Sequence, residues 1–225
     1  PRCHTALSDL EVKSKESRGK LWHIRYVLKK DPAKALVVAT TRPETLLGDT
    51  AVAVHPDDER YIGFHNTTVI VPLVNREVPV ILDGYVDRGF GTGALKITPG
   101  HDPNDYIIGK KHGLSVLTVM DESARLNENA GPYAGLSREK GREKILHDLS
   151  LAGLIVKEEE HLNNIGHCDR CGTMVEPRVS AQWFVKAGEL AKEAIRVVEQ
   201  KEIRIIPEEW EKTYFEWMRN IKDWC

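Results

Sequence analysis

Ala35-Leu36-Val37-Val38-Ala39-Thr40-Thr41-Arg42-Pro43-Glu44-Thr45, continued by Leu46-Leu47-Gly48-Asp49-Thr50-Ala51-Val52-Ala53-Val54, is an apolar run, a polar corner and a second apolar run. Runs this short and rich in β-branched residues fit strands and are too brief for stable helices. The same texture spans residues 21–28, 67–71, 78–82, 94–98 and 115–119, each run bounded by Gly, Pro, Asn or Asp. The connection Val74-Asn75-Arg76-Glu77-Val78 leaves no room for a helical crossover. The reading therefore predicts an α+β fold built on a small closed antiparallel β-barrel with peripheral helices.

Helices enter where the loops permit them. Asp102-Pro103-Asn104-Asp105 offers an N-cap carboxylate, proline at the first helical position and a second carboxylate at the third. Ser137 opens another helix, with Ile145, Leu149 and Ala152 along one face and Gly153 as its stop. After about Ser180 the texture turns helical over 187–199 and 208–224, which reads as a connector outside the barrel. The predicted division is 1–16 as an N-terminal zinc-knuckle half and connector, 17–163 as the barrel, and 164–225 as a second knuckle and helical connector.

Composition narrows the class. The chain of 225 residues is 41% hydrophobic, ordinary for a globular protein, and has no apolar run near a membrane span, so a cytoplasmic location and no membrane partner are expected. A formal net charge of -2 excludes coating of nucleic acid by a broad basic field and leaves room for a local RNA contact. The clusters Lys110-Lys111-His112 and Arg138, Lys140, Arg142, Lys144 could serve such a contact, although groups of this kind are more often solvated helix faces. Cys3, Cys168, Cys171 and Cys225 are too few for an extracellular disulfide framework. The Cys168-Asp169-Arg170-Cys171-Gly172 knuckle suggests a metal or a reduced pair. The proline start predicts a fragment, with Pro1-Arg2-Cys3 as the tail of a second knuckle whose first cysteine lies upstream. Cys3, Cys168 and Cys171 would then hold a structural zinc whose fourth ligand is truncated, and Cys225 is expected as a small buried apolar residue.

Two corners could carry chemistry. Thr40, Thr41, Arg42, Glu44 and Thr45 end a strand where a loop can face a ligand, although Arg42 could simply pair with Glu44. Phe90-Gly91-Thr92-Gly93-Ala94-Leu95-Lys96 leads into Pro99-Gly100-His101-Asp102-Pro103-Asn104-Asp105 and forces an ammonium, an imidazole and two carboxylates together. The glycines lack the spacing and the Lys-Ser/Thr ending of a phosphate-binding loop. His101-Asp102 also suits a metal phosphohydrolase, but no further ligands appear at matching spacing.

Together these segments resemble the editing insertion, or connective polypeptide, of valyl-tRNA synthetases, over nearly the whole chain. The carriers are Thr40 to Thr45, Leu46 to Pro56, Phe90 to Asp105, Asn127 to Gly135, His167 to Gly172 and Trp210 to Ile221. Isoleucine-type relatives replace Arg42-Pro43-Glu44 with a Thr-rich stretch carrying Trp, and leucine-type relatives lack Gly48-Asp49-Thr50. Gly100 stands where the valine group more often has Ala. Neither His-Ile-Gly-His nor Lys-Met-Ser-Lys-Ser occurs, so no synthetic activity is expected of this segment.

The resemblance implies hydrolysis of threonyl-tRNA(Val) by water attack on the aminoacyl ester, with no catalytic metal and no organic cofactor. Lys96, Asp102 and Asp105 are the implied catalytic set, with Asp105 gripping the α-ammonium and Lys96 or backbone amides meeting the oxyanion. Thr40, Thr41, Arg42, Glu44, Thr45 and Thr98 would complete the pocket, with Phe90 and Leu95 near the terminal adenosine. The implied partners are the 3′ aminoacylated end of tRNA(Val) and the rest of the synthetase, with the protein a monomer. Alternatives are a non-catalytic module that clamps the tRNA acceptor end, an isoleucine- or leucine-type editing domain, and a zinc-dependent hydrolase.

Overall fold

A computed structural model describes residues 2–224, apart from the side chain of Asp9. The expectations for Pro1 and Cys225 lie outside the described residues. Seven strands form: β1 (Val12–Val27), β2 (Ala35–Thr40), β3 (Ala51–Val54), β4 (Thr68–Val71), β5 (Arg76–Leu82), β6 (Ala94–Ile97) and β7 (Ile155–Cys168). Four helices accompany them: α1 (Pro103–Lys111), α2 (Arg138–Leu151), α3 (Ala187–Glu199) and α4 (Glu211–Arg219).

The α+β class stands, but the closed barrel does not. The strands form two sheets, in the orders β2-β1-β7 and β4-β5-β3-β6, and no ladder among the described residues closes them. A single bridge, Leu28 to Val69, joins β1 to β4, with the Lys29 amide on the Thr68 carbonyl at 2.9 Å. The pairing is also not wholly antiparallel, because β3 runs parallel to β5, with β4 between them in sequence and β6 antiparallel on the other side of β3.

One expected strand, 115–119, never joins a ladder because side chains take its backbone groups. The Val119 amide donates to His101 Nε2 at 2.8 Å, and the Thr118 carbonyl accepts from the Asn127 and Asn129 side-chain amides at 3.0 and 2.9 Å. Conversely, β7 has a sequence too charged to read as a strand, yet it pairs with β1 as a long ribbon that is exposed or half-buried at every residue before Cys168.

Alternation places the core. Leu36, Val38 and Thr40 of β2 turn inward at every second position. All four residues of β3 are buried because both faces of that strand are covered. Val52 and Val54 join the main core with Ile24, Tyr26, Leu46 and Leu47, whereas Ala51 and Ala53 join a second cluster with Ile97 and Ile108 of α1. In α2, Ser137 caps the start and Ile145 and Leu149 pack inward, but Ala152 is an exposed C-cap; the third inward position is Gly141, against Leu126.

The chain forms two compact units. One comprises the segment up to His4 and Lys13–Val179, with both sheets, α1 and α2. The other comprises Thr5–Val12 and the segment from Ser180. In it, α3 and α4 are tied by Tyr214 Oη on the Ala194 carbonyl at 2.9 Å and by an Arg219–Glu199 pair at 3.0 Å. No helix among the described residues is long and apolar enough to cross a membrane.

Candidate functional site

β6 carries its side chains to two faces. Leu95 and Ile97 turn toward the second cluster, and Ala94, Lys96 and Thr98 turn toward the main core. Lys96 and Thr98 thus reach the turn Pro43–Gly48, which follows β2, and Asp49 just beyond it. The Lys96 ammonium donates to Thr45 Oγ1 at 2.9 Å, to Asp49 Oδ1 at 3.2 Å and to Thr98 Oγ1. Thr98 in turn donates its hydroxyl proton to Asp49 Oδ1 at 2.5 Å, and Tyr26 Oη donates to Asp49 Oδ2 at 2.6 Å. All three ammonium protons are committed, so the expectation of Lys96 free to meet an oxyanion is not met. The lysine anchors the corner.

Asp49 is the member that the sequence reading missed as a site residue. It is fully buried, and burial pushes its carboxyl up against the pull of Lys96, Thr98 and Tyr26. Burial first, then the Asp49 charge, holds the Tyr26 phenol well above its ordinary value. Three donors converging on one carboxylate define an acceptor-only, ionised group. The sequence offers only an acidic residue two positions before an apolar strand, which does not by itself mark a site.

Beyond Thr98 the chain turns through Pro99-Gly100 into α1. Gly100 is required by proximity here, since a Cβ would sit 2.3 Å from the Leu117 carbonyl oxygen. Asp102 is the N-cap, accepting from the Asn104 and Asp105 amides at 2.8 and 3.1 Å, and it is half-buried. Asp105, in the first turn, is 7% exposed and accepts the Thr98 amide on Oδ2 at 2.8 Å; its other oxygen makes no hydrogen bond to the described residues. Burial raises the Asp105 carboxyl to about 6, with Asp102 and Asp49 adding to the rise and Lys96 and the Thr98 amide opposing it.

His101 is no metal ligand. Its Nε2 accepts the Val119 amide, which places the proton on Nδ1, opposite the Pro177 carbonyl but outside regular hydrogen-bond geometry. Burial, then Arg42 and Lys96, lowers the imidazole to about 4, so it is neutral at pH 7.

The other expected residues split into two groups. Arg42 donates to the His101 carbonyl at 3.0 Å, pairs with Glu176 and lies 3.6 Å from Glu44. Glu44 is fully buried, and both its oxygens are held by Arg142 at 2.7 Å. Burial works against its ionisation, but Arg142 and Arg42 outweigh it and hold the carboxyl below the ordinary range. Glu176 also binds Arg138 at 2.6 Å. Arg42 and Glu44 therefore belong to a clamp joining the 43–48 turn, α2 and the segment after the knuckle. Thr40 Oγ1 accepts the Arg42 amide at 3.1 Å, and Thr41 is half-buried beside it. Phe90 presents a half-exposed ring edge-on to His161, with centroids 5.9 Å apart. Leu95 lies on the face of β6 opposite Lys96 and is not brought to the Lys96 corner.

A second cluster lies at the far end of β7. Cys168 to Val175 fold back as a knuckle through Gly172 on the Cys168 carbonyl at 2.8 Å and Cys168 on the Thr173 carbonyl at 2.9 Å. The sulfurs of Cys3, Cys168 and Cys171 lie within 4.8 Å of one another, and this is the one group of its kind among the described residues. Hydrogen bonds from Thr173, then Cys3, lower the Cys171 thiol to about 6. Three converging soft sulfurs with a thiolate among them suit a metal ion such as zinc.

The family model for class I tRNA synthetases (I, L, M and V) matches residues 1–225, and the chain belongs to that family. It is 54% identical over its full length to the valine--tRNA ligase of Geobacter sulfurreducens and 56% identical to that of Thermotoga maritima. It spans about a quarter of each, 25% and 26%. Among solved structures, GlLeuRS-CP1 is similar with a TM-score of 0.49 at 16% identity, over 62% of this chain and 98% of that one.

Proposed function

We propose that this segment is the editing domain of a valine--tRNA ligase and hydrolyses threonyl-tRNA(Val). The observation that carries the reading is the corner between β6 and α1. There, a buried carboxylate with one uncommitted oxygen, Asp105, stands over a lysine-threonine-aspartate network. The high identity to two valine--tRNA ligases supports the valine type.

A second site is needed because threonine is nearly isosteric with valine. An apolar synthetic pocket rejects the added hydroxyl only weakly, and discrimination of about 10² is documented for valine-type enzymes themselves. A site that pairs with the hydroxyl excludes valine, because buried polar groups would be left unpaired. In the proposed complex the free oxygen of Asp105 holds the α-ammonium of the aminoacyl group. Its raised carboxyl value is still below neutral pH, so the anion is available, and the ammonium stabilises it further. Asp102 borders the same first turn of α1 and contacts the side chain. Phe90 supplies a face for the terminal adenosine.

The reaction is attack by a positioned water on an already activated ester. No Ser-His or Cys-His couple lies in this corner, so the chemistry is positioning and electrostatics without an acyl-enzyme. With the ammonium of Lys96 committed to Thr45, Asp49 and Thr98, the oxyanion is left to backbone amides and to the ribose hydroxyl beside the ester. Cys3, Cys168 and Cys171 would hold zinc as a structural clip, and the ion supplies fold stability there. The protein acts as a cytoplasmic monomer on the 3′ end of the tRNA.

The test is deacylation of threonyl-tRNA(Val) by the wild-type chain and by Asp105→Ala. Loss of turnover by a variant that still unfolds cooperatively supports the assignment. Full turnover by the variant removes the anchor residue and the reading with it. Binding of the tRNA without turnover in the wild type establishes the non-catalytic clamp instead.

A further inference from the structure

Phe90 is a half-exposed aromatic ring in a stretch that carries Gly89, Gly91 and Gly93, a composition that ordinarily leaves a side chain without a fixed place. Here the loop is stitched to the 57–61 turn on both sides of the ring. Asp58 is buried and accepts Arg60 Nε at 2.8 Å and Nη2 at 2.6 Å, which fixes the plane of the guanidinium. The same Nη2 donates to the Arg88 carbonyl at 2.8 Å, and Arg88 Nη1 donates back to the Asp57 carbonyl at 3.2 Å. Beyond the ring, Tyr61 Oη donates to the Thr92 carbonyl at 2.6 Å. Arg60 also lies against Gly93, where a Cβ would stand 2.4 Å from Nη2. Within the loop, the Gly89 amide donates to Asp87 Oδ1 at 2.8 Å and the Gly93 amide to the Phe90 carbonyl at 3.0 Å.

No residue of 87–93 belongs to either apolar cluster, so these ties do not serve the core. What they fix is the Phe90 ring, edge-on to His161 of β7 with centroids 5.9 Å apart. The loop runs straight into β6, which holds the ring at a set offset from Lys96.

We propose that Arg60 and Tyr61 are positioning residues that brace the 87–93 loop, so that Phe90, with His161 against its edge, is a preformed stacking platform for the terminal base of the tRNA. The inference rests on the editing reading, which brings that base here, and deepens it. Stacking on an aromatic face contributes affinity whatever the base. A loop that must first be ordered loses part of that affinity, and one ordered beforehand keeps it. Loosening the brace therefore weakens binding and leaves the hydrolytic step intact, which raises KM at constant kcat.

The experiment uses Arg60→Gln and two readouts. The first is independent of activity: the fluorescence of uncharged tRNA(Val) carrying 2-aminopurine in place of its terminal adenine, which stacking quenches. The wild type is expected to quench it, and the variant to need about tenfold more protein for the same effect. The second is deacylation. The variant is expected to raise KM for threonyl-tRNA(Val) about tenfold with kcat unchanged, and to hydrolyse the threonyl ester of 1-O-methylribose, which has no base, as fast as the wild type does.

A wild type that leaves the fluorescence unquenched has no platform, and a variant that quenches as tightly as the wild type has no need of the brace; either result overturns the proposal. So does a variant that hydrolyses the base-free ester more slowly, because the brace then acts on the fold of the whole site. Quenching by the wild type without hydrolysis of threonyl-tRNA(Val) shows instead that the editing reading has failed, and the fluorescence alone then decides the brace. Should Arg60→Gln strand Asp58 and not fold, Tyr61→Phe removes the tie to Thr92 and keeps its ring against Phe64. It must weaken the quenching and raise KM by a smaller factor, and its failure to do so overturns the proposal.

Discussion

Asp105→Asn is expected to make the protein more stable while silencing it. Burial raises the Asp105 carboxyl from 3.8 to about 6. A folded-state value above the unfolded one means that the protonated acid favours folding below about 3.8, and that this contribution is lost as pH rises through about 6. Once ionised, the group costs about 3 kcal/mol. Its place in the first turn of α1 returns about 0.3–1 kcal/mol through the helix dipole, leaving about 2 kcal/mol. Asparagine keeps an acceptor for the Thr98 amide and carries no charge. Urea unfolding of the variant should therefore show about 2 kcal/mol of added stability at pH 8, shrinking through pH 6 toward nothing near pH 4. His101 acts in the opposite sense. Its lowered value, about 4, stabilises the fold above pH 6.5 and is lost as pH falls through 4, so Asp105→Asn also exposes an acid sensitivity that Asp105 masks in the wild type. A variant no more stable than wild type at pH 8, or a difference constant from pH 4 to 8, refutes the reasoning; so does a ¹³C titration of Asp105 near 4.

Arg142→Met should destabilise by about 3–5 kcal/mol in denaturant unfolding, since Glu44 would be left buried and charged without its bidentate partner. Gly100→Ala should cost about 1–3 kcal/mol, because the new methyl meets the backbone of Leu117 and not the end of a flexible side chain; calorimetry reads the loss, and unchanged melting would show that the 115–119 segment yields freely. Titrating zinc into the reduced protein should raise its unfolding midpoint, with Cys171→Ser abolishing the rise; a chelator should then stop deacylation slowly, at the rate of unfolding, whereas immediate loss would point to a catalytic ion.

The sequence exposed those parts of the fold whose forces are local. The six apolar strands and α1 follow from alternation and from the Asp102-Pro103 cap, which needs only neighbouring amides. The barrel was misread because closure is a property of ladders between distant strands, and the segment 115–119 has strand-like residues whose backbone is claimed by His101, Asn127 and Asn129. β7 was missed for the converse reason: its charged residues pair with β1, as Glu158 does with Trp22 at 2.9 Å and Glu159 with His23 at 2.8 Å, so tertiary partners override a weak propensity. In the site, Lys96, Thr98 and Asp105 were legible because they sit within ten residues at one strand-to-helix corner. Asp49 was not, since its importance comes from Tyr26 and Lys96, which are distant in sequence. Glu44 and Arg42 looked like pocket residues, and their ion pairs with Arg142 and Glu176 depend on elements about a hundred residues or more away.

The most direct test of the central claim is a side-by-side deacylation assay with threonyl- and valyl-esters of the same tRNA(Val). Hydrolysis of the threonyl ester well above the uncatalysed rate, with the valyl ester spared by a hundredfold or more, roughly, is the expected result for a site that pairs with the extra hydroxyl. Equal hydrolysis of the two esters, or none of either, contradicts it.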